Sequence, residues 1–295
     1  MKTALYKLVS LWGYKIENKK KEQKRRTNVL SKYDVKKQLP LLIKAFVFVQ
    51  NMEQKYQDLQ ISDYKEGVLV AFDGLKIYVE SYEEFFILDE VFIQKDYNFI
   101  TSDRVIIIDI GANIGTSCLF FSKMSNVQKI YAFEPVTETF EQATLNLELN
   151  KEISKIAKLN NFGLGKNDRD EVFLFDRNVK GNTGVRGVMS SSFKSENVVE
   201  TKVTIKNAAE QINAIIAANP EYKIVVKMDC EGGEYEIFES LSESRVITKI
   251  DYLMMEWHDK GSQSLEKVLL DSGFFCFSQR LAINSGMIYA IKKEC

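Results

Sequence analysis

The sequence has few cysteines, no CxxC pair and no apolar run long enough to cross a bilayer. Membrane-spanning helices need roughly 20 consecutive apolar residues, so we expect no transmembrane segment. Residues 1 to 14 include Lys2 and Lys7 and lack a small-residue cleavage site, so we expect no signal peptide. Widely spaced cysteines argue against a zinc ribbon or a disulfide framework and favour a reducing, cytoplasmic location. They are Cys118, Cys230, Cys276 and Cys295.

A strong overall charge is also missing. The 40 basic and 41 acidic side chains leave a formal net charge of -1, which gives no reason to expect a nucleic-acid partner. Locally, residues 15–26 hold seven basic and two acidic side chains. Such a segment is either a solvated linker or exposed helix face, or a peripheral contact with anionic lipid or a phosphorylated carrier.

A chain of 295 residues with 45% hydrophobic side chains is long enough for one α/β core and an appendage. Residues 1–65 show apolar side chains at helical spacing and are predicted to form an N-terminal helical extension. In residues 66–100, alternating apolar side chains flank Asp73-Gly74, which predicts a β-hairpin and a lead-in segment. Residues 101–295 are predicted to form the main domain.

Alternating strand and helix patterns in the main domain predict a doubly wound, Rossmann-like and mostly parallel sheet. Strands are predicted at residues 105–110, 129–134, 155–160, 172–175, 224–229, 252–257, 274–278 and 287–291. Helices are predicted at residues 114–125, 137–150, 208–218, 234–243 and 263–272. Residues 176–200 are predicted to be a long loop that closes on substrate. The N-terminal helices and the hairpin are expected to form a lid or an oligomer contact over the pocket.

A glycine turn follows the apolar strand at residues 105–110 and carries the spacing Asp109-x-Gly111-x-Asn113-x-Gly115. Glycine lets the backbone approach a ligand closely, and the following helix N-terminus favours a negative ligand group such as a carboxylate. The spacing differs from the Gly-x-Gly-x-x-Gly that holds a pyrophosphate. This difference favours S-adenosylmethionine over a nicotinamide cofactor.

The second predicted strand ends in Glu134-Pro135, and Glu134 comes 19 residues after Gly115. An acid at this strand end can accept hydrogen bonds from both hydroxyls of a ribose. Taken separately, Asp109 could cap a helix and Glu134 could lie on a surface turn. Taken together, the two strand ends predict a cofactor pocket.

The chain resembles the FkbM family of S-adenosylmethionine-dependent methyltransferases over residues 85–275. The motifs that carry the resemblance are Asp109-Ile-Gly-Ala-Asn-Ile-Gly115, Phe133-Glu-Pro135, Asn146 with Asn150, Val226-Lys-Met-Asp-Cys-Glu-Gly-Gly-Glu234 and Glu256-Trp-His258. The resemblance implies a class I methyltransferase fold. It also implies adenine contacts at Asn161 and Phe162, although Phe162 could equally pack in the core. Where the family tends to have a Leu-Asp pair, this chain has Ile205-Lys-Asn207.

Acidic side chains and the only histidine lie at the ends of the strands predicted at residues 224–229 and 252–257. Three hypotheses compete for this group. His258 could be a general base oriented by Glu256, or Asp229, Glu231 and Glu256 could hold Mg²⁺. Alternatively, Glu231 and Glu234 could cap the next helix and His258 could be a buried structural side chain. Under any of these hypotheses Lys227 is expected to be structural.

Together these features predict an O-methyltransferase acting on a hydroxyl of a sugar, a glycan such as a polysaccharide, or a small natural product. Many amino-methylating enzymes of this fold carry a Pro-Pro dipeptide after the strand that corresponds to residues 224–229. Its absence here favours oxygen over nitrogen as the methyl acceptor. A catalytically silent scaffold protein and a nicotinamide-dependent oxidoreductase are the alternatives, and a homo-oligomer is compatible with the sequence.

Overall fold

The computed structural model describes residues 19–184 and 197–293. Its N-terminal part contains three helices, α1 to α3, followed by three antiparallel strands, β1 to β3. The helices are Lys19–Leu30, Leu39–Lys44 and Phe46–Lys55, and the strands are Gln60–Tyr64, Gly67–Phe72 and Leu75–Val79. The prediction of helix up to residue 65 is therefore wrong after Lys55. β1 forms because its residues pair antiparallel with β2, a tertiary contact that helical spacing cannot reveal.

The predicted hairpin is confirmed between β2 and β3. Asp73 and Gly74 have φ values of 49° and 77°, as a two-residue type I′ turn requires. Strand β3 lies against helix α6 (Thr137–Glu148): the Tyr78 amide donates to Asn146 Oδ1 at 2.7 Å, and the Lys76 amide donates to Asn150 Oδ1 at 2.9 Å. The hairpin therefore flanks the main domain. It does not form the lid over the pocket that we expected from the sequence.

Helix α4 (Tyr82–Leu88) and a π-helical turn (Asp89–Gln94) connect the hairpin to a seven-stranded sheet. The strand order is β12-β13-β11-β10-β4-β5-β6, and only β13 runs antiparallel to the other strands of this sheet. The predicted Rossmann-like, mostly parallel sheet is confirmed. Its strands are Val105–Ile110 (β4), Val127–Phe133 (β5), Ala157–Asn160 (β6), Lys223–Met228 (β10), Tyr252–His258 (β11), Phe274–Arg280 (β12) and Ser285–Lys292 (β13).

Five helices of the main domain agree with their predictions within a few residues. Besides α6, they are Thr116–Ser122 (α5), Ala208–Ala217 (α8), Glu234–Glu243 (α9) and Gln263–Asp271 (α10). The short helix Lys151–Ser154 (α7) was not predicted. Helix α5 starts two residues later than predicted, because Gly115 adopts a left-handed conformation with φ of 83°. Within the described residues, no helix combines the length and the apolar character that crossing a membrane requires.

A second small sheet was only partly predicted. It consists of Gly163–Gly165 (β7), Arg169–Phe175 (β8) and Val199–Asn207 (β9), in the order β7-β9-β8. Strand β9 buries only Val203 and Ile205, so its sequence lacks a strong apolar signal. The predicted loop at 176–200 contains a 3₁₀ turn, Lys180–Asn182, and the start of β9, and its residues 185–196 lie outside the described residues.

Candidate active site

The carboxyl ends of β4, β10 and β11 surround a cavity of about 420 Å³. The glycine loop after β4 forms one side, and the acids after β10 and in β11 form another. Helix α4 and the π-helical turn supply an apolar wall through Phe86, Ile87 and Val91. A narrower pocket of about 60 Å³ runs from the same loop towards the end of β5 and shares Gly111, Asn113 and Asp229 with the cavity. We call these two spaces the main cavity and the narrow pocket.

Gly111 fixes the loop between two strands. Its amide and that of Ala112 donate to the Phe133 carbonyl, both at 3.0 Å, which anchors the loop to β5. Its φ is 81°, and a Cβ at this position would overlap the carbonyl oxygen of Asp229 after β10. Only glycine fits here, because any side chain would push β4 and β10 apart.

Glu134 lies at the end of β5 and faces the narrow pocket. Its carboxylate accepts hydrogen bonds from the amides of Asn113, at 3.0 Å, and Val136, at 2.9 Å. Burial, partly opposed by these two hydrogen bonds, raises the pKa of Glu134 to about 7. The carboxylate therefore joins the glycine loop to the strand end where a ribose diol was predicted to bind.

Asp109 lies behind the loop and lines neither space. It is fully buried, accepts a 2.5 Å hydrogen bond from Ser117 Oγ and pairs with Lys227 Nζ at 3.3 Å. The same ammonium donates to the Gly111 carbonyl at 2.7 Å. Asp109 thus positions the loop through Lys227, and Gly115 faces Ala143 of α6 instead of a ligand space.

Replacing Lys227 by methionine is expected to lower the free energy of unfolding by about 3–5 kcal/mol, because the buried carboxylate of Asp109 loses its counter-ion. Urea unfolding measures this change. Lys223→Met is the matched control on the same strand, since its pair with Asp251 is half exposed and such pairs contribute about 1 kcal/mol or less. Equal losses for the two variants would contradict a structural role for Lys227.

The other predicted cofactor residues lie at the end of β5 and after β6. Pro135 lines the narrow pocket. Asn161 Nδ2 donates to the Glu134 carbonyl at 3.0 Å, so it supports the Glu134-Pro135 turn from outside. The Phe162 ring packs 5.4 Å from that of Phe133, and neither Asn161 nor Phe162 lines the narrow pocket.

His258 is the centre of the acidic group. It is 3% exposed, and its Nδ1 lies 2.8 Å from Glu234 Oε1. On its other side, Nε2 lies 3.6 Å from Glu256 and 3.7 Å from Glu231. Glu234 also accepts the Gly232 amide at 2.9 Å at the start of α9. The ring is therefore oriented by Glu234, whereas Glu256 was the expected partner. Gly232 precedes the helix, so its contact with Glu234 holds the turn before α9 and is not the predicted helix cap.

Mutual repulsion and burial shift the pKa values in this group. Burial opposes protonation of His258, but the hydrogen bond with Glu234 and the charges of Glu231 and Asp229 raise its pKa to about 10. Burial and the charge of Asp229 raise the pKa of Glu256 to about 7. Burial and the charges of Glu256 and Asp229 raise the pKa of Glu90 to about 9. At neutral pH, His258 is therefore an imidazolium and Glu90 carries a proton.

Several residues of the main cavity were missed by the sequence analysis. Glu90 and Tyr97 come from the lead-in segment, and the Tyr97 hydroxyl donates to Asp229 Oδ2 at 3.1 Å. Glu90 could have been noticed as a charge within the apolar run 85–93. Tyr97 carries no comparable signal, because its partner is 132 residues away.

The 3₁₀ turn Lys180–Asn182 borders both spaces and is anchored to the N-terminal part of the chain. The Lys180 ammonium is buried, lies 3.0 Å from Glu84 Oε1 and also contacts Glu80 and Gln142. The next amide, of Gly181, donates to Glu83 Oε2 at 3.1 Å. Acids of the segment 66–100 thereby hold one wall of the narrow pocket in place.

Two observations bear on which groups these spaces could hold. The hydroxyls of Thr116, in the main cavity, and Thr183, in the narrow pocket, are buried and have no hydrogen-bond partner among the described residues. They fit a ligand with polar groups. Ligand atoms of Asp229, Glu231 and His258 lie within 4.8 Å of one another, whereas the predicted metal set contained Glu256 in place of the histidine.

Comparisons with known proteins show which family this chain belongs to. A family model described as the FkbM methyltransferase domain matches residues 109–274, more than half of the 295 residues. The methyltransferase sdnD of Sordaria araneosa is 24% identical over 229 residues, which cover 70% of this chain and 88% of that protein. The crystal structure of an FkbM methyltransferase from Methylobacillus flagellatus aligns over 90% of this chain and 58% of its own, with 11% identity and a TM-score of 0.44.

Proposed function

Because this chain belongs to the FkbM methyltransferase family, we propose that it transfers a methyl group from S-adenosylmethionine to a hydroxyl of a sugar, a glycan or a similar small molecule. One observation carries the proposal: the loop Gly111 to Asn113 and the side chains of Glu256 and His258 line one continuous cavity. A cofactor on the loop and an acceptor beside the acids would therefore be neighbours.

The residues around the narrow pocket suit the adenosine half of the cofactor. Glu134 would accept the ribose hydroxyls, and Pro135 and Leu164 would border the base. The buried hydroxyl of Thr116 in the main cavity would bind the polar end of the methionine half. These residues therefore fit S-adenosylmethionine, and the class I methyltransferase fold implies its use.

When bound, the cofactor supplies a methyl group activated by the sulfonium charge. An acceptor hydroxyl that takes up this methyl group would have to give its proton to a base of the protein. Glu256 has the better pKa for this task, near 7, because His258 already carries its proton. In our proposal Glu256 takes the proton, and the His258 imidazolium, held by Glu234, stabilises the negative charge of the carboxylates around it.

The walls of the main cavity favour an uncharged acceptor. Its apolar side is formed by Phe86, Ile87, Val91, Leu281 and Ala282. Five carboxyl groups line the remainder, from Glu83, Glu90, Asp229, Glu231 and Glu256, and Lys227 is already paired with Asp109. A phosphate or carboxylate next to the reactive hydroxyl would be repelled, whereas sugar hydroxyls can donate hydrogen bonds to these acids.

Magnesium is a weaker alternative for activating the hydroxyl. The closely grouped ligand atoms include a histidine nitrogen, whereas Mg²⁺ prefers oxygen ligands in octahedral geometry. The donor set does not fit Mg²⁺ well, and we assign it no step. A silent scaffold protein and a nicotinamide-dependent enzyme remain the rival functions, and the cytoplasmic location inferred from the cysteines stays a prediction.

Calorimetric titration with S-adenosylhomocysteine tests the cofactor assignment, with NADH as the rival ligand. Wild-type protein is expected to bind S-adenosylhomocysteine and not NADH. Glu134→Ala is expected to weaken binding by about 1.5–3 kcal/mol, the usual contribution of hydrogen bonds to a charged group. Because protonation of Glu134 removes an acceptor, wild-type affinity should also fall as the pH decreases through about 7.

Glu138→Ala is the matched control, since Glu138 is an exposed acid four residues further along the chain. It should leave the affinity unchanged. No binding of either ligand would favour the scaffold function. If Glu134→Ala had the wild-type affinity for S-adenosylhomocysteine, Glu134 would not be part of the cofactor site, even if methyl transfer were later observed.

A further inference from the structure

The basic segment of the chain is not explained by methyl transfer. Within residues 19–26, six side chains are basic and one is acidic, which leaves 34 basic and 40 acidic side chains in the rest of the protein. The described part of the segment forms the first two turns of α1. The protein thus carries a concentrated positive charge on an otherwise acidic molecule.

Contacts divide these basic residues into two groups. Arg25 and Arg26 pair with Glu22, and both guanidinium groups lie about 5 Å from the ring of Phe46, at 5.1 and 5.2 Å. They attach α1 to the rest of the protein. In contrast, Lys19, Lys20 and Lys24 are exposed and form no ion pair with any described residue. Three ammonium groups therefore remain available to an anionic partner.

Helices α3 and α4 carry exposed apolar side chains. Val47, which follows Phe46, is 56% exposed, and Tyr82 and Phe86 on α4 are 38% and 40% exposed. The ring of Phe48 lies 5.3 Å from Tyr82 and 5.7 Å from Phe86. The Lys44 ammonium lies 4.9 Å above the ring of Tyr82. We call this surface the docking ridge; it comprises Lys19, Lys20, Lys24, Lys44, Val47, Tyr82 and Phe86.

We propose that the docking ridge binds the surface of an anionic lipid bilayer. Basic side chains attract anionic headgroups, and adjacent apolar side chains enter the boundary between headgroups and acyl chains. Phe86 also lines the main cavity, so docking would bring the mouth of the cavity to the bilayer. The proposal depends on the surface alone and does not require the proposed methyl transfer.

Nucleic acid is the other polyanion that a basic helix could bind. One feature favours the bilayer. Val47, at 56% the most exposed apolar side chain of the docking ridge, is aliphatic and can enter lipid, whereas only the less exposed rings of Tyr82 and Phe86 could stack on a base.

Co-sedimentation of the full chain with phosphatidylcholine vesicles, with and without phosphatidylglycerol, tests the proposal. Wild-type protein should bind only the anionic vesicles, and high salt should weaken binding. Each basic residue near a membrane contributes about 1 kcal/mol, so replacing Lys19, Lys20 and Lys24 by glutamine should weaken binding about a hundredfold. Val47→Asp should weaken it about tenfold or more, because an acid replaces an inserting side chain.

Replacing Lys151, Lys155 and Lys158 by glutamine is the matched control, since these are also three exposed lysines without an ion pair among the described residues. This variant should bind like the wild type. Equal losses for both triple variants, or equal binding to both vesicle types, would overturn the proposal. It would also be overturned if RNA bound as tightly as the anionic vesicles and Val47→Asp had no effect on either.

Discussion

Gly111→Ala is expected to abolish measurable binding of S-adenosylhomocysteine. The new Cβ would overlap the Asp229 carbonyl oxygen, and the φ of 81° is unfavourable for alanine. Relief of this overlap requires β4 and β10 to separate, which moves the loop away from both Glu134 and the main cavity. Isothermal titration calorimetry, with circular dichroism to confirm folding, measures the effect.

Gly74→Ala provides the matched control for backbone strain. Gly74 has a similar φ of 77°, but a Cβ there would have nothing within 4 Å. The variant should lose about 1–2 kcal/mol of stability from the left-handed conformation and retain the wild-type affinity. If Gly111→Ala also retained its affinity, the glycine loop would not be the cofactor site.

Glu256→Gln is expected to lower kcat by about 10²–10⁴-fold, the usual contribution of a general base. Glutamine keeps the shape of the side chain and removes only its ability to accept the proton. S-adenosylhomocysteine affinity should change little, because Glu256 lines the main cavity and not the narrow pocket. Initial rates of methyl transfer to a sugar acceptor, once acceptor screening has identified one, measure the effect.

The pH dependence separates Glu256 from the other acids. Four residues shift its pKa: Asp229 after β10, His258 in β11, Glu234 in α9 and Ser285 in β13. Glu90 faces Glu256 from the π-helical turn. A base must be ionised, and the raised pKa keeps Glu256 protonated below about 7. The wild-type rate should therefore rise with pH through about 7, and Glu256→Gln should lose this rise.

Glu239→Gln serves as the control for this experiment, because Glu239 is an exposed acid on α9 that pairs with Lys166. It should keep the rate and the pH profile of the wild type. Addition of EDTA should not change the wild-type rate. An unchanged pH profile in Glu256→Gln would assign the proton transfer to another group, and a rate abolished by EDTA would reinstate a metal.

Local sequence patterns were sufficient for much of the catalytic domain. The apolar strand at 105–110 and the helix at 234–243 were predicted with the bounds that the structure has. Buried parallel strands are apolar on both faces, so their composition alone identifies them. Strand β9 escaped prediction because it buries only one face, through two side chains, and its other residues are polar.

The site was also partly predictable, because several of its residues lie next to strands that the sequence identifies. Glycine at residue 111 and acids at residues 134, 229 and 256 lie at or just after the carboxyl ends of strands that end at one edge of the sheet, so their convergence follows from the fold class. Which acid contacts which partner does not follow. Glu234 and Glu256 both lie near His258, and only the start of helix α9 brings Glu234 within 2.8 Å of Nδ1.

The sequence by itself determined the strands of the seven-stranded sheet, the longer helices that connect them, the glycine loop and the family. These properties depend on neighbouring residues, whose spacing is visible along the chain. Only the tertiary structure decided that Glu90 and Tyr97 from the N-terminal part of the chain complete the main cavity, and that Lys180 anchors a wall of the narrow pocket. Such contacts join residues about 100 or more positions apart, as Lys180 with Glu84 and Tyr97 with Asp229. Their geometry is set by how helices and sheets pack, and packing leaves no periodic signal in either segment.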